Sequence, residues 1–362
     1  MKTQATPIQS FLKLMLVCVG LSLLTSPAYA VLRDFDENND PSRLFSSYES
    51  HVDSLPTSGE VQSALWSDTY WPGREGGAAW RWQMAGSGQP TNPFSYTLYE
   101  AWQIGQLSEA QMNMLSPAEK YDIATGRFDY PTVQRERVRT NPSNPKWYGL
   151  CHAVAAAATR YYEPKNTTVQ VALPDHSTRN LTFYASDIKA LLALASDRAA
   201  YTASSLGTRC DSTTASSDGS CWDTNPGGFY LAITNMVGLL KTSIILDVDP
   251  LKEVWNAAVK SYSAKLQELP TISANAAQGT VREIRVDMTV QHTIGAKPAR
   301  NQTGGFFKSV LYSFTIEVDR SNNIIGGEWI STNRPDMLWF TNESMQLDPN
   351  LAFLSQLTEP LH

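Results

Sequence analysis

The run Cys151-His-Ala-Val-Ala-Ala-Ala-Ala-Thr-Arg-Tyr-Tyr162 constrains the fold more than any other stretch of this sequence. Alanine is the strongest helix former, so the run predicts a helix. Asn144-Pro145 and Gly149 supply the turn that leads into it. Side chains this small lie on nearly every face. They let neighbouring elements approach the helix backbone closely, so the helix is expected at the centre of the molecule.

The C-terminal third supplies strands to pack on it. In Val281–Ile294, the residues Ile284, Val286, Met288, Val290, His292 and Ile294 share one face. Val310, Tyr312, Phe314, Ile316 and Val318 do the same in Ser309–Val318. Asp319-Arg-Ser-Asn-Asn323 reads as a hairpin turn, and Ile324 to Ile330 as the returning strand. Upstream, Gly228 to Asn235 reads as a strand and Ser243 to Val248 as another. Ser116-Pro-Ala-Glu119 opens a short helix, with Ser as cap, Pro first and Glu three residues after the cap. Ser186-Asp187 caps a further helix, Ile188 to about Ser196. An antiparallel sheet with a buried helix against it is an α+β architecture.

Hydrophobic residues make up 42% of the 362, enough to bury a sizeable core. The formal net charge of −6 excludes a general nucleic-acid binder and a protein anchored on anionic lipid. Residues 1–30 read as a secretory signal: Lys2 and Lys13 precede an apolar run from Leu14 to Leu24, and Ala28-Tyr-Ala30 is a small-x-small cleavage site. No later stretch is long and apolar enough to span a membrane, so the product is expected to be secreted or periplasmic. Residues 31–60 form a polar segment, and 61–350 the main domain. Asp34, Asp36, Asn38 and Asp40 mimic a calcium loop, but Asn39 and Phe45 stand where that loop needs Gly and Glu. Trp66, Trp71, Trp80 and Trp82 read as core. Asn166, Asn180, Asn301 and Asn342 are glycosylation acceptors only in a host with that machinery.

Three cysteines follow the signal. Cys210 and Cys221 flank a polar ten-residue loop and are expected to close it as a disulfide. Cys151 is then a free thiol at the start of a buried helix. Unpaired amides at such a helix start favour negative charge, and the thiolate is the nucleophile. They can also hold an oxyanion beside the sulfur. This is the arrangement that thiol acyl transfer requires. The base is expected on a strand facing the helix, oriented by a group on the next strand. Two strands fit: the one with Tyr230, Ala232 and Thr234 on one face, and the one that ends in Asp247. A carboxylate at the end of a buried strand is expected to be paired. Of the histidines His51, His152, His176, His292 and His362, His152 adjoins Cys151 on the same helix, where successive residues do not face each other. His292 reads as a core histidine and His176 as a loop residue. No spacing supports a metal site or cofactor.

Six blocks then resemble a known family, in order: Trp66-Ser-Asp-Thr-Tyr-Trp-Pro72 with Gly76-Gly77, Leu115-Ser-Pro-Ala-Glu-Lys-Tyr-Asp122, Trp147-Tyr-Gly-Leu-Cys-His152, Asn225-Pro-Gly-Gly-Phe229, Glu253-Val-Trp-Asn256, and Gly326-Gly-Glu-Trp329 with Arg334-Pro-Asp336. They resemble the transglutaminase elicitor family, secreted enzymes of oomycetes with bacterial relatives, which cross-link peptide glutamine to amines. The resemblance implies a papain-like, transglutaminase-like thiol core, with Cys151 as nucleophile. It implies a histidine base after the Asn-Pro-Gly-x-Phe block, where Tyr230 stands here, and a carboxylate on the following strand, here Asp247. Tyrosine is a poor general base at neutral pH. Ala257-Ala-Val259 replaces the glutamine-proline pair of the segment recognised by plants, so that recognition is not implied.

The expected function is a secreted protein-glutamine γ-glutamyltransferase with peptide glutamine donors and primary amine acceptors. The alternatives are a transglutaminase-like envelope or binding protein without turnover, and a cysteine protease or amidase with water as acceptor.

Overall fold

The computed structural model describes residues 33–82, 92–197, 203–210, 224–341 and 347–361. The expected signal, Met1–Ala30, lies outside these, and Val31–His362 form one unit. After the short strand β1 (Ser58–Glu60) come two one-turn helices, α1 (Ala101–Ile104) and α2 (Glu109–Met112), and then α3 (Pro117–Ala124). The α3 start follows the predicted capping box. Ser116 Oγ accepts the Glu119 N–H at 3.2 Å, and the Glu119 carboxylate accepts the Ser116 N–H at 3.0 Å. Next come α4 (Pro131–Arg139), α5 (Cys151–Arg160), a hairpin of β2 (Thr167–Ala172) and β3 (Thr178–Phe183), and α6 (Ala185–Ser196).

Helix α6 begins earlier than the sequence predicts, and Asp187 works from inside its first turn. Its carboxylate accepts the Tyr184 N–H at 2.7 Å and the Trp82 indole N–H at 2.7 Å, and it pairs with the buried Lys120 ammonium.

The large sheet holds β4 (Ser205–Gly207), β5 (Ile245–Asp247), β6 (Asn256–Glu268), β7 (Arg282–Thr293), β8 (Phe307–Val318), β9 (Ile324–Trp329) and β10 (Met337–Trp339). Its order is β4-β10-β5-β6-β7-β8-β9, all antiparallel, with β1 added along β6. The alternating residues Ile284, Val286, Met288, Val290 and His292 are buried, as their shared face predicts. The register of β6 on β7 shifts between Val259 and Ser261, an irregularity in the strand that α5 packs against.

One expected strand is a helix. Gly228 to Asn235 falls in α7 (Pro226–Ile233), which runs on as a π-helical turn from Thr234 to Leu239. Asn225 caps it by accepting the Gly227 N–H at 2.8 Å, and Pro226 takes the first position. Every α7 residue is buried, so the run is apolar on all sides. Periodicity cannot tell a short run of that kind from a core strand. The glycine-rich blocks meet here: a Cβ on Gly227 would come within 2.5 Å of the Gly326 oxygen, so α7 can lie on β9 only through glycine.

Two apolar clusters result. One gathers Trp66, Trp71 and Trp82 with α3, α4 and α6. The other gathers α7 with β5 to β9 and, from the segment expected to be polar, Leu44, Phe45, Val52 and Leu55. Helix α5 is the wall between them: Ala153, Val154, Ala157 and Ala158 join the first, and Ala155 and Ala156 the second. Its small residues are the reason both halves can close on it. Among the described residues, no helix is long and apolar enough to cross a membrane.

Candidate active site

Cys151 opens α5, and the preceding residues fix where the sulfur sits. The Leu150 N–H donates to the Tyr70 oxygen at 2.6 Å, and the Gly73 N–H to the Tyr148 oxygen at 2.8 Å. A Cβ at Gly149 would stand 2.5 Å from the same Tyr70 oxygen, so this close approach needs glycine. No side chain caps the helix start, which leaves the first-turn amides available to a ligand. The Cys151 thiol is free and donates to the Val254 oxygen at 3.4 Å.

The thiol lines a cavity of about 240 Å³. Its walls come from the Trp66-Ser-Asp-Thr-Tyr block, the first turns of α5, the start of β6 and the end of β7, where His292, Thr293 and Ile294 lie. Lys308 stands at its edge. Trp66 is held by its indole N–H, which donates to the Tyr161 oxygen at 2.9 Å. Tyr70 and Trp255 meet edge to face, with centroids 5.2 Å apart. Asp68, 1% exposed, accepts the Thr69 N–H at 2.8 Å and the Ser186 hydroxyl. Burial pushes its carboxyl up to about 7.

His292 therefore faces the thiol's cavity rather than a sealed core. It is 3% exposed. Its Nδ1 lies 2.9 Å from the Thr293 oxygen, so the Nδ1–H donates there and Nε2 carries the lone pair. Nε2 has no hydrogen-bond partner among the described residues. Burial pulls this imidazole below its ordinary range, and the Lys308 charge adds to that. It is a neutral group with an open acceptor nitrogen.

His152 differs. Its Nε2 lies 3.0 Å from the Asp197 backbone oxygen and 3.2 Å from the Asp197 carboxylate, at the end of α6. Burial works against its charged form, but the Asp197 carboxylate and the neighbouring Cys151 sulfur outweigh this and push it up to about 9. The His152 ring and the Cys151 sulfur interact although the two residues are adjacent on α5. Asp197 itself titrates low: burial opposes this, but the bond to His152 prevails.

The other expected site residues are elsewhere. Tyr230 is on α7, 0% exposed, against the Phe314 ring, and is not among the residues lining the Cys151 cavity. Burial pushes its phenol up to about 12, and its hydroxyl has no partner among the described residues. Asp247 ends β5 as expected, fully buried, with one oxygen accepting the Trp255 N–H at 2.8 Å. Its other oxygen has no hydrogen-bond partner among the described residues, and burial pushes the carboxyl up to about 7. Asp247 thus closes the loop that presents the Val254 carbonyl to the thiol. Cys210 is buried and is not a free thiol, while Cys221 lies outside the described residues. The described residues contain no group of three or more His, Cys, Asp or Glu able to hold a metal ion.

Sequence reasoning reads His292 as a core histidine, and it is buried and bonded to the Thr293 oxygen, yet it lines the cavity. That reasoning does not reach Asp197. The sequence places Ile294 beyond His292 on the same face, and only the structure, by ending β7 at Thr293, sets His292 in the wall of the cavity.

Comparison with known proteins bears on this site. Residues 43–349 match the family model described as transglutaminase elicitor. No curated protein matches the chain. Among solved structures, the GP42 transglutaminase from Phytophthora sojae has a similar fold, with a TM-score of 0.63 and 20% identity over 90% of this chain and 99% of that one.

Proposed function

Since this chain belongs to the transglutaminase elicitor family, we propose that it is an exported protein-glutamine γ-glutamyltransferase built on a papain-like arrangement of helix and sheet, with Cys151 as its nucleophile. The observation that carries the reading is that the free thiol shares one cavity with His292, whose Nε2 has no hydrogen-bond partner among the described residues. In this reading His292 is the displaced histidine that acts as general base in place of Tyr230, and Asp247 positions the loop over the sulfur. The Cys210–Cys221 bridge and the signal at 1–30 belong to the same proposal.

His292 takes the thiol proton, and the imidazolium of His152, held by Asp197, favours the negative sulfur. The sulfur attacks the γ-carboxamide carbon of a peptide glutamine. The oxyanion that forms is held by the first-turn amides of α5. The C–N bond breaks, His292 returns the proton, and ammonia leaves a thioester. A primary amine then gives its proton to His292 and attacks the thioester carbon. The C–S bond breaks and the product is an isopeptide. The aromatic walls of Trp66, Tyr70 and Trp255 limit water, which would otherwise be the acceptor.

The test is incorporation of a fluorescent primary amine into a glutamine peptide. Activity in the parent chain, lost in Cys151→Ala and in His292→Gln but kept in Tyr230→Phe, supports the assignment. Activity that survives His292→Gln rules out its role as base. Release of ammonia that leaves peptide-bound glutamate and no incorporated amine makes the protein an amidase.

A further inference from the structure

A second cavity, of about 260 Å³, adjoins the first and shares Val248, His292 and Lys308 with it. Its remaining walls are the β8 residues Ser309 to Tyr312 and Asn333. We propose that this cavity is a subsite for an acidic side chain flanking the reactive glutamine, with Lys308 as its counter-charge. The inference rests on the transferase reading for its substrate but not for its test.

Three observations carry it. Lys308 is exposed, forms no ion pair among the described residues, and stands at the junction of the two cavities. Among the described residues no Asp or Glu lines the second cavity, so an acidic guest meets no like charge from them there. Across the β7–β8 ladder Lys308 is paired with His292, whose Nε2 is open. A peptide with glutamine in the first cavity therefore brings a neighbouring residue to the second. Ser309 and Asn333 can donate to a carboxylate, and Val310 and Leu311 can cover its methylenes. A protonated amine fits poorly, because it would face the ammonium of Lys308. That assigns this cavity to the donor peptide rather than the acceptor.

The experiment measures binding to the full chain carrying Cys151→Ala, by fluorescence anisotropy, of three labelled peptides that differ only in Glu, Ala or Lys beside the glutamine. An exposed charge pair contributes modestly, so the Glu peptide is expected to bind about threefold more tightly than the Ala peptide. The preference is expected to vanish in Lys308→Ala and to turn toward the Lys peptide in Lys308→Glu. Equal binding of the Glu and Ala peptides, absence of binding by all three, or a Glu preference that survives Lys308→Glu overturns the proposal. Amine incorporation by the chain with Cys151 intact is measured in parallel. An acidic preference in binding with no incorporation keeps the subsite and discards the transferase.

Discussion

Replacing Asp197 by Asn tests the electrostatics beside the sulfur. His152 is raised from 6.5 to about 9, with its side chain only 12% exposed. A rise of that size corresponds to about 3 kcal/mol of stability, shared between the Asp197 carboxylate and the Cys151 sulfur. Because the folded value lies above the unfolded one, this stabilisation is fully present below pH 6.5 and is lost as pH climbs through 9. Asp197→Asn removes the carboxylate's part, so it is expected to cost about 1–2 kcal/mol at pH 6 and clearly less at pH 10. Urea unfolding of both proteins at the two pH values gives the difference, and NMR titration of the His152 ring gives the midpoint directly. A parent midpoint at or below 6.5, or a cost equal at both pH values, refutes the reasoning.

Three further outcomes follow from the geometry. Gly149→Ala forces a Cβ to within 2.5 Å of the Tyr70 oxygen and is expected to cost about 1–3 kcal/mol and to slow Cys151 alkylation, read by urea midpoint and iodoacetamide labelling. Ala156→Leu overfills the fully buried side of α5 against the sheet, and a comparable loss of about 1–3 kcal/mol is expected in thermal unfolding. Asp247→Asn keeps the acceptor for the Trp255 N–H and removes a buried charge. Since that carboxyl is raised from 3.8 to about 7, the variant's stability relative to the parent is expected to grow from pH 4 to pH 7, by up to about 4 kcal/mol, and then level off. A flat difference across that range contradicts it.

The parts of this fold that could be read in advance are those where one face differs from the other. The alternation in β7 and β8 names its own buried side, and the Ser116 to Glu119 box marks its own helix start. The run from Gly228 to Asn235 offers no such contrast, since water touches none of it, and it reads as strand or helix equally well. Strand β6 was passed over because Ala257 and Ala258 carry little strand preference, although Tyr262, Ala264 and Leu266 alternate with polar residues along its second half. The site divides in the same way. Cys151 announces itself by helix position and by being the unpaired thiol. His292 and Asp197 reach the neighbourhood of the thiol only through tertiary contact, His292 from the far end of a strand and Asp197 from the tail of another helix. A family pattern that pointed to Tyr230 led to a residue whose ring fills the core.

The partition formed by α5 makes the chemistry a gauge of assembly. The sulfur rides on a helix whose two flanks belong to different halves, while His292 belongs to the sheet half and Asp197 to the helical half. Under the proposed reading neither half alone can align the three groups, so the thiol is armed only once both halves have closed on α5.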